Sequence, residues 1–266
     1  MLRTRLLAAL VLLPIVLLVV AVGGLWYQGA VAAVLAIGVW ELHRLTTARG
    51  YAPSLAVSWF LLAVILLSVT WPGLLGPGVA LSVMLAMYMS LRNYHRGDAA
   101  PMISFSLTLG IALYVGWLGW HLLALRALPQ GEWWTLTVLP CIFAADSGAY
   151  FVGTQFGRHK LVPWVSPKKS WEGYLGGVVF AVILGVVAVL LWRPRAPGML
   201  PAHGAVIGLV VSLLSPLGDL TVSAFKRQAG VKDTGRLIPG HGGMMDRLDS
   251  VLIAAVLGYY YILWFT

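Results

Sequence analysis

Between Ser223 and Asp249 the chain reads SAFKRQAGVKDTGRLIPGHGGMMDRLD, which holds Lys226, Arg227, Lys232, Asp233, Arg236, His241, Asp246, Arg247 and Asp249. The rest is strongly apolar: 60% hydrophobic, 10% charged, with a mean hydropathy of +0.88. Charge near a bilayer is costly, so a dense cluster of both signs between apolar runs marks a functional-site candidate. Its cations and glycines suit phosphate, and its carboxylates suit a divalent metal.

Asp246 and Asp249 are spaced i, i+3 at the start of the last apolar run and share a helix face. The helix dipole and capping favour acids there. Beside a basic loop they also suit Mg²⁺, which takes one or two carboxylates and completes its shell with water and substrate phosphates. Asp219, in LLSPLGDLTVSAFKR, and Asp146, in AADSGAY, sit late in apolar runs. An acid at membrane depth faces a polar cavity, a partner or a metal. Pro216 and Gly218 can kink the helix before Asp219, and broken backbone is tolerated in a membrane only where protein or water covers it. Asp219 therefore reads as a metal or substrate group ahead of a structural salt bridge to Lys226 or Arg227. For Asp146 the two readings are even.

Lys226 and Arg227 close their run as helix-end anchors do. Lys232 and Arg236 follow closely, and these cations around glycines resemble a phosphate cradle, Arg binding bidentately and Lys as a point charge. In Ile238–Gly243, IPGHGG, the glycines Gly240, Gly242 and Gly243 let backbone N–H groups approach phosphate. No Walker A pattern is present. His241 contacts phosphate, assists as acid or base, or fixes the loop. A second polar stretch, FGRHKLVPWVSPKKSWEG, adds Arg158, Lys160, Ser166, Lys168, Lys169, Ser170 and Glu172. It attracts anionic lipid or holds phosphate. There is no nucleophile elbow, no Ser/His/Asp set and no His/Cys transition-metal spacing. The inventory fits metal-assisted transfer at phosphorus between a lipid and a cytosolic nucleotide.

These groups must be positioned by membrane helices. The 266 residues suit one integral unit. Apolar runs long enough to span recur at about 6–22, 25–42, 54–71, 74–91, 103–125, 133–153, 173–192, 204–225 and 248–265. The expected fold is an all-α polytopic membrane protein of about nine transmembrane helices, with a polar cavity open to the cytoplasmic side. The opening MLRTR plus apolar run imitates a signal peptide, but it is too long and lacks a small-x-small cleavage site, so it reads as a retained helix. Gly23 and Gly24 imply a tight hairpin or one broken unit. With the N-terminus inside, Arg3, Arg5, Arg44, Arg49, Arg92, Arg96, Arg158, Lys160, Lys168, Lys169, Lys226, Arg227, Lys232, Arg236 and Arg247 fall inside and only Arg126, Arg193 and Arg195 outside. The net charge of +9 is thus a topology signal, and nucleic acid is not an expected partner. Both polar loops, 154–172 and 226–247, come to the cytoplasmic face.

Cys141 lies in an apolar run and reads as a small buried hydrophobe. Six of the nine acids (Glu41, Asp98, Glu132, Asp146, Glu172, Asp219, Asp233, Asp246, Asp249) lie after residue 140. Residues 1–128 therefore read as lipid-facing scaffold, and residues 129–266 as the part that carries the chemistry. Trp26, Trp71, Trp133, Trp134 and Trp192 sit near run ends, as interfacial anchors do.

The segment from Ser223 resembles the signature of CDP-diacylglycerol synthase, or phosphatidate cytidylyltransferase. The pattern S-x-x-K-R-x-x-x-x-K-D-x-G-x-x-x-P-G-H-G-G-x-x-D-R-x-D is met without a gap, over about a tenth of the chain. SPKKSWEG, DSGAY and SPLGDL agree with it. The resemblance implies CTP plus phosphatidate giving CDP-diacylglycerol and pyrophosphate with Mg²⁺, and allows a monovalent cation such as K⁺ beside it. It assigns Mg²⁺ to Asp219 and Asp246, with Asp249 and Asp146 secondary. Lys226, Arg227, Lys232 and Arg247 would hold phosphates and offset transition-state charge. Ser223 and the Gly240–Gly243 backbone would contact phosphate or metal, with Ser166, Lys169 and Ser170 as further substrate contacts. It also implies membrane-lipid partners, a homodimer and a bacterial inner-membrane setting, while the charge bias with nine spans puts the C-terminus outside. Rival readings are a relative using an isoprenoid lipid phosphate and a transporter with buried coupling acids. The transporter lacks an inverted repeat, and its polar cluster lies at one face rather than the midplane. The CDP-alcohol phosphotransferase pattern D-G-x-x-A-R is absent.

Overall fold

A computed structural model describes residues 14–235 and 242–266. Arg3, Arg5 and the start of the first apolar run lie outside the described residues, as do Arg236, Gly240 and His241. The chain is an all-α polytopic membrane protein. Helix α1 (14–22) meets α2 (Gly24–Thr47) at Gly23 and Gly24, whose φ angles are 66° and 54°. Only glycine enters that region freely, so the pair breaks the two runs into two helices. The Arg126 guanidinium occupies the place of a Cβ at Gly23, and its Nε donates to the Val20 carbonyl at 2.9 Å.

Ser54 Oγ caps α3 (Leu55–Leu67) by accepting from Val57 N at 3.5 Å. A short 3₁₀ turn, Pro72–Leu74, leads into α4 (Leu75–His95). Helix α5 (Pro101–Ala112) continues through a π-helical turn, Leu113–Trp117, into α6 (Leu118–Ala127). Next come α7 (Gly131–Phe156), the antiparallel hairpin β1 (Lys160–Val162) and β2 (Ser166–Ser170), and α8 (Trp171–Trp192). Helices α9 (Pro201–Leu214) and α10 (Pro216–Ala229) form one rod, and α11 (Met245–Phe265) ends the chain. Pro216 brings no N–H to the ladder, yet Ser215 keeps helical angles (φ −56°, ψ −35°), so the run is interrupted rather than ended.

Among the described residues, seven helices are long and apolar enough to cross a bilayer. The expected count of nine shrinks for two reasons. The first run is cut by the limit of the described residues. Helix α3 has 13 residues, about 20 Å of rise against a hydrocarbon core of about 30 Å.

Several polar helix ends meet one another. Asn93 Nδ2, near the end of α4, donates to the Ala52 carbonyl at 2.8 Å, and Arg49 donates to the Gln228 carbonyl. Lys169 reaches Asp219 on α10. At the opposite end Arg126 pairs with Glu132 at 3.7 Å, and Trp133 packs on Trp192 with ring centroids 5.3 Å apart. Trp26 and Trp71 are exposed, as anchors would be. Trp134 is not an anchor: it is buried with its edge on His203, because α7, α9 and α11 close around it.

Helices α7, α8 and α9 pack backbone to backbone. A Cβ at Gly204 would overlap the Gly185 carbonyl and one at Gly185 the Gly204 carbonyl; Gly208 faces the Ala181 carbonyl and Gly177 the Ala145 carbonyl. Lipid tails are as apolar as Leu, so close approach of small residues drives such association. Helix α11 is central and touches α2, α6, α7, α9 and α10. Gly204→Val forces this contact apart and is expected to lower stability by about 1–3 kcal/mol. A falling unfolding temperature of the purified protein in detergent would show it; an unchanged one would refute the close-packing account.

Candidate active site

Three residues of α10, Asp219, Ser223 and Lys226, lie at i, i+4 and i+7 and share one face. Strand β2 projects Lys169 onto Asp219, where the two form an ion pair, and Ser223 Oγ donates to the other Asp219 oxygen at 3.3 Å. The hairpin that carries Lys169 is held by Glu172 in the first turn of α8. Glu172 accepts from Arg158 N at 3.1 Å and contacts His159 Nδ1 at 2.6 Å. Ser170 caps the same helix, its Oγ accepting from Gly173 N at 3.2 Å. Ser170 is thus buried and engaged in a cap, a use the sequence did not distinguish from substrate contact.

Gly218 is not a helix breaker. It lies inside α10, and a Cβ there would strike the Asp249 carbonyl, so the missing side chain lets α10 close on α11. That approach brings Asp219 beside Asp249, which is buried and accepts from Ser250 N at 2.6 Å.

Asp246, in the first turn of α11, is engaged through both of its oxygens. Lys226 Nζ lies 2.6 Å from its Oδ1, with the two side chains 13% and 9% exposed. Its Oδ2 accepts from Thr234 N at 2.9 Å, Thr234 Oγ1 at 3.1 Å and Gly243 N at 2.9 Å. Gly242 sits at φ 83°, and a Cβ there would come within 2.8 Å of Asp246 Oδ2. Glycine is thus required at 242 by both backbone and space.

Sequence reasoning missed Glu41. This α2 residue is fully buried. Its Oε2 accepts from Thr234 Oγ1 at 2.7 Å and Met245 N at 2.8 Å, and its Oε1 from Met244 N at 2.9 Å. A Cβ at Gly235 or Gly243 would collide with its carboxylate. The available signal was that Glu41 is the only acid before Asp98 and ends an apolar run.

Asp146 lines a cavity of about 360 Å³ together with Ser166, Lys168, Lys169, Ser170 and Pro216. It lies in the field of Lys169, Asp219 and Arg247, while Asp249 lies in that of Asp219, Asp146 and Lys226. Three acids in mutual range with two lysines between them form a site that a cation would stabilise. Among the described residues, however, no three Asp, Glu, His or Cys side chains converge as a ready ligand set. One or two of these carboxylates could hold a hard divalent ion only with water and phosphate oxygens completing its shell. Arg227, Lys232 and Arg247 are exposed at the same end.

A second, apolar groove of about 500 Å³ lies on the other side of α10. Leu42, Leu45, Ile111, Tyr114 and Phe225 line it, and the Arg49–Gln228 contact lies at it. Helix α10 meets this groove at Phe225, Gln228 and Ala229, and the smaller cavity at Pro216.

The profile of the cytidylyltransferase family matches residues 3–265. Three curated relatives, all called phosphatidate cytidylyltransferase, align over nearly their full length. The Synechocystis sp. protein is 34% identical over 97% of this chain and 95% of its own. The Pseudomonas aeruginosa protein is 36% identical over 99% and 97%, and the Bacillus subtilis protein 29% over 99% and 98%.

Removing one member of the buried Lys226–Asp246 pair strands the other. Lys226→Ala is expected to destabilise the protein by about 3–5 kcal/mol. The double variant with Asp246→Ala should cost less than the two single changes summed, because the pair is coupled. A double-mutant cycle on unfolding in detergent checks this, and strict additivity would show that the pair does not interact.

Proposed function

The chain belongs to the cytidylyltransferase family, and from that premise we infer that it transfers a cytidylyl group from CTP to phosphatidate, giving CDP-diacylglycerol and pyrophosphate. A phosphate oxygen of phosphatidate attacks the α-phosphorus of CTP. A new P–O bond forms, the bond to the β-phosphate bridging oxygen breaks, and the electron pair leaves with pyrophosphate. The incoming oxygen is already anionic, so no strong general base is needed. What the protein must supply is positioning and charge stabilisation.

The observation that carries this reading is that three chain segments, β2, α10 and α11, bring Lys169, Asp219, Lys226 and Asp246 together at one membrane end. There, polar nucleotide and anionic lipid meet the same cations. Lys226 and Lys169 are proposed to bind phosphate oxygens, with Arg227, Lys232 and Arg247 at the mouth. Ser166, Ser170, Ser223 and the glycine loop, including Gly240, His241, Gly242 and Gly243, are proposed to complete the substrate contacts. Asp219 and Asp246 are proposed to hold Mg²⁺, with Asp249 and Asp146 beside them. The ion would neutralise the phosphates and the departing pyrophosphate. A monovalent ion such as K⁺ is proposed for the remaining negative charge.

The site is proposed to face the cytoplasm, where CTP is found. That orientation would put Arg44, Arg49, Arg92, Arg96, Arg158, Lys160, Lys168 and Lys169 inside, in keeping with the positive-inside bias expected of a bacterial inner membrane. The acyl chains of phosphatidate are proposed to enter the groove beside α10. The proposed homodimer is read by molecular mass in detergent.

Purified protein given labelled CTP and phosphatidate is expected to form CDP-diacylglycerol only with Mg²⁺. Asp219→Ala and Asp246→Asn, which keeps an acceptor for Lys226, should each reduce turnover by about 10²–10³-fold or more, with the protein still folded. Turnover without metal, or two active variants, would overturn the assignment. A Cβ at Gly110, a groove residue on α5, meets nothing within 4 Å. Gly110→Phe should therefore raise KM for long-chain phosphatidate and leave dioctanoyl phosphatidate little changed. An equal effect on both would remove the acyl chains from the groove.

A further inference from the structure

We propose that Glu41 is a positioning residue for the transfer reaction, setting the place of Asp246 and Asp249 by capping α11 from another helix; this rests on the function above. The first N–H groups of a helix have no partner within it. Met244 at the start of α11 offers no side-chain cap. The Glu41 carboxylate supplies one from more than two hundred residues away, accepting from Met244 N at 2.9 Å and Met245 N at 2.8 Å. A negative group at a helix N-terminus is favoured by the dipole. That support, with three donors among the described residues, offsets the cost of a fully buried charge.

The same carboxylate reaches Asp246 through a shared hydroxyl. Thr234 Oγ1 lies 2.7 Å from Glu41 Oε2 and 3.1 Å from Asp246 Oδ2. It has one proton for the two acids, so displacing Glu41 re-aims the hydroxyl and changes what Asp246 accepts. Gly235 and Gly243 carry no side chain where one would strike Glu41. Those two glycines of the Ser223–Asp249 segment thus answer to a residue in α2. Asp246 and Asp249 occupy the first turns of the helix so held, and a shift of α11 moves both.

The test uses Glu41→Ala, Glu41→Gln and Thr234→Val in the full chain in detergent. Glu41→Ala is expected to lower kcat by about 10–100-fold, the range for loss of an orienting partner. KM for CTP should change little and the Mg²⁺ concentration for half-maximal rate should rise. Glu41→Gln keeps one acceptor and should restore part of the rate. The effects of Thr234→Val and Glu41→Ala should fall short of additive in the double variant, since the two side chains share a hydrogen bond. Independently of activity, hydrogen exchange over residues 242–250 should quicken in Glu41→Ala while α7–α9 stay protected. The proposal is overturned by wild-type kcat in Glu41→Ala, or by exchange that quickens throughout the protein, which would mean general unfolding. If the wild type makes no CDP-diacylglycerol, the proposed function has failed, and the exchange pattern still decides whether Glu41 positions α11.

Discussion

The N-terminus of α11 is gripped by two carboxylates from opposite ends of the chain, and the geometry of the site depends on that grip. Glu41 accepts from Met244 and Met245, and Asp246 from Gly243 and Thr234. Amides at the start of the helix, which have no partner within it, are thereby paired. Glycines at 235, 242 and 243 leave room for both acids. Lys226 then completes the arrangement by neutralising Asp246, so α10 and α11 are joined by charge where Gly218 has joined them by close packing.

The second half of the frame is steric. Interlocked glycines make α7, α8 and α9 a rigid group. On it stand Asp146 and the hairpin that carries Lys169. The α9–α10 rod runs from this group to α11 and presents Asp219, Ser223 and Lys226 on one face and Phe225 on another. A helix with one polar and one apolar wall suits a reaction whose two substrates come from different solvents.

Much of the site was readable because membranes make charge conspicuous. Asp146, Asp219, Lys226, Asp246 and Asp249 stand out from apolar surroundings, and the structure brings them to one end. Glu41 did not stand out in that way, because one acid at the end of an apolar helix resembles an interfacial residue until its partners are known. The β1–β2 hairpin was likewise hidden in a loop rich in Lys and Pro. Trp134 was misread because proximity to a run end does not tell which side of a helix faces lipid. Helix α3 was read as a full span because hydropathy extends past the residues that form regular hydrogen bonds.

The sequence alone determined the solvent and the chemistry. Long apolar runs have no stable home but a bilayer, clustered cations and acids there must serve one another or a ligand, and fixed spacing along a helix places Asp219, Ser223 and Lys226 on one face. Only the tertiary structure decided which charges meet. Pairing Lys169 with Asp219 and capping α11 with Glu41 depend on how helices far apart in sequence approach, and that approach is set by backbone contacts at glycines. Composition records that glycines are present; only packing shows which carbonyl or carboxylate each makes room for.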